Sequence, residues 1–320
     1  MKRTLLALLT VLAFLPQALA QSGAFPNRAL RMIVPFAPGS AVDANGRFFA
    51  EQLAGVLGQP VVVENRPGAD GAIGITAVKT APADGHTLLL ASNSTLTVNP
   101  LVIKDLPYDP MKELKPISGL TRGMTVFVVP AESRFNTLAE LVAAMKQAPA
   151  PMNVGTYSTG YRLAIEWFTG LAGVRFNNVP YKGAAPMFQD AVGGRLDWAV
   201  TDLIGASELL KGGKLKAIAV SGLTHHDDFP DVPTIRESGY PDYVNYTWSS
   251  LYVRAETPDD VTQKLGDALQ KVFRQQAVRD FVKRAKLEPM QLGPMEMRRF
   301  QVEETARLKR LADAAGIKPE

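Results

Sequence analysis

The sequence LRMIVPFAPGSAVD occupies residues 30–43 and contains the pattern that decides the fold. Its first part is a short apolar run, which is typical of a strand covered on both faces. Gly39 follows and tolerates backbone angles closed to other residues. Ser40 and Asp43 then stand in the register of a helix capping box. The stretch therefore predicts a buried strand, a tight turn and the start of a helix.

The same alternation continues beyond this stretch. Apolar runs at 60–65 and 87–92 predict two more strands. Apolar residues at helical spacing predict helices at 43–57 and 72–81, which lie between the three strands. This βαβαβ order indicates a parallel sheet with helices on its faces.

A second α/β series follows a looser, proline-containing stretch at 99–118. Its predicted strands are 125–129, 152–157, 176–181, 198–201 and 215–221, and its predicted helices are 138–146, 161–171, 184–192 and 203–211. A late strand at 248–253 and three closing helices suggest that the chain returns to its first unit. We expect two lobes joined by two crossings, with these bounds: lobe I at 21–123 and 247–320, lobe II at 124–246, and crossings near 123–125 and 246–248.

Residues 1–20 have the features of an export signal. Lys2 and Arg3 precede a short apolar stretch, and Ala18-Leu19-Ala20 provides the small-x-small pattern that signal peptidase accepts. The apolar stretch is shorter than the roughly 20 residues of a membrane span, although an uncleaved anchor is the alternative interpretation. We expect cleavage before Gln21 and a mature protein that works outside the cytoplasm.

The composition of the 320-residue chain excludes several kinds of chemistry. There is no cysteine, so a thiolate metal cluster, a cysteine nucleophile and a disulfide framework are excluded. The three histidines are an isolated His86 and the neighbours His225 and His226, a distribution that argues against a multi-histidine metal centre. We therefore expect neither a metal nor a cofactor. The net charge of +4 falls to +2 without Lys2 and Arg3, so a nucleic-acid partner is not indicated.

An exported α/β protein of this composition fits a secreted hydrolase, a nutrient-capture protein or a structural module. Two-lobed α/β folds bind ligands in the cleft, at the carboxyl ends of strands where helix N-termini point. The N–H groups that follow Gly39 would suit an anion such as a carboxylate. The alternative is an ordinary capped helix that binds only water.

Several segments resemble one family, the tripartite tricarboxylate transporter substrate-binding proteins, also called Bug receptors. The resemblance begins with VPFAPG at 34–39, followed by Asp43, and covers essentially the whole mature chain. Further matching segments, in the order of the family, are VENRPGA at 63–69, DGHTLL at 84–89, VPYKG at 179–183, GGRLD at 193–197, PDVPT at 230–234 and AGI at 315–317.

This resemblance implies a periplasmic receptor with a two-lobed α/β fold of the type II periplasmic-binding-protein kind, with mixed, mostly parallel sheets. Such a receptor captures a small organic anion, commonly a carboxylate, and delivers it to the permease subunits of a tripartite tricarboxylate transporter. We expect a monomer that is not an enzyme. The alternative is a ligand sensor that signals to a membrane partner.

The resemblance also implies which residues contact the ligand. In lobe I they are Gly39, Ser40, Ala41, Asp43, Ser92, Asn93 and Ser94. In lobe II they are Thr156, Tyr157, Ser158, Gly160 and Tyr161, with Tyr181, Lys182 and Gly183 near the cleft. The chain departs from the family pattern at both turns: residues 39–43 lack one glycine and one hydroxyl that many members have, and residues 156–162 are bulkier and more aromatic.

Two further residues carry open alternatives. Arg162 could hold a second ligand carboxylate bidentately if it faces the cleft, or it is an ordinary solvated helix charge. Ser158 would be the nucleophile of a secreted hydrolase, but its G-x-x-S-x-G context lacks the spacing of a nucleophile elbow. The candidate bases His225 and His226 lie in a polar segment typical of a surface loop.

Overall fold

The computed structural model describes residues 25–285, 287–314 and 316–319. The predicted export signal, residues 1–20, lies outside them. The strands are β1 (Leu30–Val34), β2 (Val61–Asn65), β3 (Thr87–Ser92), β4 (Leu114–Pro130), β5 (Met152–Thr156), β6 (Phe176–Pro180), β7 (Trp198–Asp202), β8 (Leu215–Val220), β9 (Tyr246–Arg254) and β10 (Glu288–Pro289).

The helices lie mainly between these strands. They are α1 (Ala41–Leu57), α2 (Ala72–Lys79), α3 (Asn99–Val102), α4 (Pro110–Glu113), α5 (Leu138–Gln147), α6 (Thr159–Ala172), α7 (Ala184–Val192), α8 (Leu203–Lys211), α9 (Asp259–Phe273), α10 (Gln276–Arg284) and α11 (Pro294–Ala314). A π-helical turn at Ser94–Val98 follows β3. Among the described residues, none of these helices is both long enough and apolar enough for a membrane span.

The sheet is mixed, with the order β2-β1-β3-β9-β4-β7-β5-β6, and β8 and β10 also pair with β4. Parallel pairing occurs in the outer parts, where β1 lies between β2 and β3, and β5 lies between β6 and β7. The centre is antiparallel, because β9 pairs with β3 and β4, and β4 also pairs with β7. The predicted α/β class is confirmed, while the predicted predominance of parallel pairing holds only away from the centre.

Strand β4 is the element that connects the two parts of the sheet. Over Leu114–Met124 it pairs with β9, and from Thr125 onward it pairs with β7 and β8. We call β1–β3, β9 and the first stretch of β4 the first section, and the remainder of β4 with β5–β8 the second section. This exchange of partners falls beside the predicted first crossing, and the lobe bounds themselves stay a prediction.

Each section has its own buried apolar core. In the first, Phe49 of α1 packs edge-on against Phe273 of α9, with ring centroids 5.8 Å apart. In the second, Phe127 of β4 contacts Phe168 of α6 and Trp198 of β7, with centroids 5.0 and 5.2 Å away. Burying a large apolar side chain contributes about 1.5–3 kcal/mol. These cores hold the strand ends, and the turns that follow them, in place.

Candidate ligand-binding site

The turn between β1 and α1 is fixed by its own polar groups. Gly39 has a φ of 81°, in the left-handed region that glycine tolerates. The Oγ of Ser40 accepts a hydrogen bond from the Asp43 N–H at 3.2 Å, and the Asp43 carboxylate accepts one from the Gly39 N–H at 2.9 Å. No described residue accepts from the N–H groups of Ala41 and Val42. The first turn of α1 therefore keeps two donors for another partner.

Asp43 is buried behind this turn and stabilises it through hydrogen bonds, and it does not line a cavity. It is 3% exposed, and its carboxylate also accepts hydrogen bonds from Asn65 at 2.8 Å and from Arg47 at 3.1 Å. Burial opposes ionisation, but the hydrogen bonds from Gly39, Arg47 and Asn65 outweigh it and hold the pKa of Asp43 below its usual value. Asp43 therefore remains ionised and fixes the position of Gly39.

A second helix start, that of α6, belongs to the second section of the sheet. Ser158 precedes α6, and its side chain makes no capping hydrogen bond. The N–H groups of Gly160 and Tyr161 have no acceptor among the described residues. The Ser94 hydroxyl donates to the Ser158 hydroxyl at 3.3 Å, and Gly160 lies so close to Ser94 that a Cβ would displace the Ser94 hydroxyl. The start of α6 is thus held against the turn that follows β3.

Both helix starts line one cavity, which we call the inner compartment. Residues of the first section that line it include Ser40, Ala41, Val42, Asn45, Ser92, Asn93, Ser94, Thr247, Trp248 and Ser249. Residues of α6 and of the turn before it are Tyr157, Ser158, Gly160 and Tyr161. The Ser92 hydroxyl and the Trp248 indole N–H are buried and have no hydrogen-bond partner in the described part of the chain.

A wider outer compartment adjoins the inner one and shares Phe36, Ser40, Ser94, Tyr157 and Ser158 with it. Further lining residues are Pro38, Gly39, Asp70, Thr159, Tyr181, Lys182, Gly183 and Ala184. Tyr181 donates to Asp190 at 2.8 Å, and burial together with this bond raises the pKa of Tyr181 to about 12. Lys182 is exposed and is the basic residue among the described residues that line this compartment.

The structure brings together thirteen of the sixteen predicted site residues, which are the fifteen implied by the resemblance and Arg162. The inner compartment contains Ser40, Ala41, Ser92, Asn93, Ser94, Tyr157, Ser158, Gly160 and Tyr161, and the outer one adds Gly39, Tyr181, Lys182 and Gly183. Asp43, Thr156 and Arg162 line neither. No ligand is present, so the assignment of ligand contacts stays a prediction.

Thr156 and Arg162 lie away from the cavity for clear reasons. The Thr156 hydroxyl donates to Asn178 at 2.7 Å and so ties β5 to β6. The Arg162 guanidinium donates to Glu166 at 2.8 Å, one helical turn further along α6. Arg162 lines a separate groove that also contains Lys318. It therefore lies outside both compartments, and its role as a carboxylate clamp stays a prediction.

Sequence reasoning missed Asp202, the last residue of β7, which also lines the inner compartment. Its carboxylate accepts hydrogen bonds from the Tyr157 hydroxyl at 2.9 Å and from the Thr247 hydroxyl at 3.0 Å. The Tyr157 and Tyr161 hydroxyls lie within hydrogen-bond distance of each other, at 3.1 Å. Burial, followed by the charge of Asp202, raises the pKa of both tyrosines well above the usual value. Both phenols are therefore protonated.

Sequence reasoning also missed a polar floor of the inner compartment, formed by Asn45, Thr121 and Ser249. Asn45 of α1 donates to the hydroxyls of Thr121 and Ser249 at 3.1 and 3.4 Å, and these hydroxyls are 3.1 Å apart. Asp202 could have been identified from the sequence, because it follows a predicted strand and precedes a predicted helix. The polar floor could not, because its three residues are distant in the sequence and no local pattern connects them.

The described residues do not assemble a hydrolytic site around Ser158. Its hydroxyl is bonded to Ser94, whereas His225 lies 2.7 Å from Glu237, and His226 accepts from the Asp228 N–H at 3.2 Å. A serine nucleophile needs a base within hydrogen-bond reach. Nor do the described residues contain a group of three or more His, Asp or Glu side chains that could hold a metal ion.

Solved structures resemble this one closely. A Rhodopseudomonas palustris protein, Rpa4515, solved with adipate, superimposes with a TM-score of 0.89 at 28% identity, covering 92% of this chain and 100% of its own. MatC from Rhodopseudomonas palustris, solved with bound malate, gives 0.84 at 28% identity, covering 90% of this chain and 99% of its own. The periplasmic binding protein BugD gives 0.87 at 28% identity, covering 92% of this chain and 100% of its own, so the fold is that of a periplasmic binding protein.

The family follows from the sequence comparisons. Residues 46–317 match the model of the tripartite tricarboxylate transporter family receptor. The chain is also 31% identical over 297 residues to the protein BugT of Bordetella pertussis, covering 92% of this chain and 91% of BugT. The chain belongs to the tripartite tricarboxylate transporter receptor family, as its motifs indicated.

Proposed function

We propose that this protein is an exported, periplasmic receptor that binds a small organic carboxylate in the inner compartment and delivers it to the permease of a tripartite tricarboxylate transporter. It acts as a monomer and catalyses no reaction. The two sections of the sheet are its lobes, and closure occurs around the point where β4 changes partners. The observation that carries the proposal is the convergence of the α1 and α6 starts on one cavity.

Free N–H groups at a helix start favour an anion for two reasons. They are unsatisfied donors, and the helix dipole adds a partial positive charge. Ala41 and Val42 offer such donors from α1, and Gly160 and Tyr161 offer them from α6. The relatives solved with adipate and malate support the same class of ligand, and the family description supports the permease as partner.

The test begins with thermal unfolding of the purified protein in the presence of mono- and dicarboxylates, including adipate and malate. A ligand at a hundred times its Kd adds about 2.7 kcal/mol to the free energy of unfolding. This gain raises Tm by several degrees in a chain of this size. The uncharged amide of the best ligand is the control and should leave Tm unchanged. If no carboxylate in the panel raises Tm, the proposal is wrong.

The variant Ala41→Pro examines the role of the α1 start directly. Proline is tolerated at the first position of a helix, and Ser40 already has the extended backbone that precedes proline, with ψ at 159°. The change removes one N–H donor. A hydrogen bond to a charged group contributes about 1.5–3 kcal/mol, so carboxylate affinity should fall about tenfold or more.

Gln276→Pro is the matched control for this variant. Gln276 is the exposed first residue of α10, lies outside both compartments, and follows a residue with ψ at 143°. The affinity of the Gln276→Pro variant for the same carboxylate should equal that of the unmodified protein. Equal affinities for Ala41→Pro and Gln276→Pro, measured by calorimetry, would show that the α1 start does not bind the ligand.

A further inference from the structure

Asp202 introduces a negative charge into a compartment whose helix starts favour anions. It is 9% exposed and is the one charged side chain among the described residues that line the inner compartment. Its hydrogen-bond partners Tyr157, Tyr161 and Thr247 are all neutral. In the described part of the chain, no Lys or Arg lies within ion-pair distance of Asp202. The charge is therefore buried without a compensating cation.

Such a charge is costly unless something compensates it, because burial removes the hydration of the carboxylate. Its two oxygens can accept about four hydrogen bonds, and Tyr157, Thr247 and Tyr161 supply at most three of these. Both neighbouring tyrosines stay protonated, so neither can take up a proton for Asp202 or replace it as an anion. Acceptor capacity and negative charge thus remain for a group that enters the compartment.

A second carboxylate on the ligand would be repelled by Asp202, whereas an ammonium group would be attracted. A hydroxyl would satisfy the remaining acceptor capacity but leave the charge uncompensated. We propose that the inner compartment selects a zwitterionic ligand, a small carboxylate that also carries an ammonium group, and that Asp202 binds the ammonium. This proposal rests on the proposed function, in which the starts of α1 and α6 bind the carboxylate of the same molecule.

The test compares pairs of ligands that differ only by the ammonium group: aspartate with succinate, glutamate with glutarate, and alanine with propionate. Binding to the unmodified protein is measured by isothermal titration calorimetry. We expect the amino member of at least one pair to bind ten times more tightly than its partner. Tighter binding of malate than of aspartate would overturn the proposal in favour of a hydroxyl donor.

The variant Asp202→Asn assigns the preference to this side chain. We expect the amino member to lose at least tenfold in affinity, and its des-amino partner to keep or gain affinity because a repulsive charge is gone. Asp70→Asn, in the lining of the outer compartment, should leave the ratio unchanged. An equal loss for both members of a pair would overturn the role of Asp202.

The two proposals fail in different ways. Preference of the unmodified protein for des-amino ligands would overturn the ammonium proposal and leave the carboxylate receptor intact. This measurement needs no variant, so a folding defect in Asp202→Asn cannot obscure it. Binding of neither member of any pair would overturn the proposed function, and the ammonium proposal with it.

Discussion

Replacement of Asp43 by Asn should uncouple the first turn of α1 from the loop before it. The carboxylate accepts from the Gly39 N–H at 2.9 Å, from Arg47 at 3.1 Å and from Asn65 at 2.8 Å, and these donors address both of its oxygens. An amide has one oxygen, so in either orientation its NH₂ group faces a donor. One buried donor then loses its partner, and the others lose a charged acceptor. We expect the free energy of unfolding to fall by roughly 2–4 kcal/mol at pH 7.

The direction of the Asp43 pKa shift determines how the effect of Asp43→Asn on stability varies with pH. Because the folded protein holds the pKa of Asp43 below its usual value, the stabilisation is complete above about pH 4. It is lost as the pH falls through that range towards the folded pKa. The difference between the unmodified protein and Asp43→Asn should therefore be largest at neutral pH and shrink in acid. Urea unfolding followed by circular dichroism, at constant ionic strength, measures it.

Asp260→Asn is the control for this experiment. Asp260 also lies in the first turn of a helix, but it is exposed and its ion pair with Lys264 is 3.8 Å long. Its removal should change the free energy of unfolding by less than about 0.5 kcal/mol. The reasoning would be refuted if Asp43→Asn lowered the free energy of unfolding by no more than Asp260→Asn does. It would also be refuted if the stability difference between Asp43→Asn and the unmodified protein did not depend on pH.

Two glycines give further predictions. Gly155→Ala would place a Cβ 2.5 Å from the buried Leu196 side chain, so overpacking should lower the free energy of unfolding by about 1–3 kcal/mol; an unchanged urea midpoint would contradict this. Gly160→Ala would force a Cβ against Ser94 and move the start of α6, so carboxylate affinity measured by calorimetry should fall about fivefold or more. Gly266→Ala, in a helix with open space around the new Cβ, is its control, and equal affinities would show that the contact with Ser94 is unimportant.

The elements that could be predicted are those with uniform surroundings. The bounds of β3, α7 and α8 agree with their predicted ranges, and all six residues of β3 are buried, as a continuous apolar run indicates. The first stretch of β4 escaped prediction. Its pairing with β9 shifts register between Pro116 and Ser118 and again between Gly119 and Thr121. Such irregularities break the alternation from which strands are recognised.

The candidate site also has one part that could be predicted from the sequence and one part that could not. The starts of α1 and α6 could be predicted because a few consecutive residues form each turn. Asp202 and Thr247 meet across 45 positions of sequence, and the floor around Asn45 spans a still longer separation. Their contacts depend on the antiparallel pairing in the centre of the sheet, which the local patterns did not predict. The composition of a turn is thus a local property, whereas the charge of the cavity is not.

The exchange of partners along β4 also affects how the molecule could move. The backbone runs from one sheet section into the other without leaving the extended conformation. A rotation of one section against the other would be taken up as twist distributed along β4 and β9, rather than as the rearrangement of a flexible linker. Twisting preserves the ladder hydrogen bonds, so the amides of β4 should remain protected from hydrogen exchange during such a rotation.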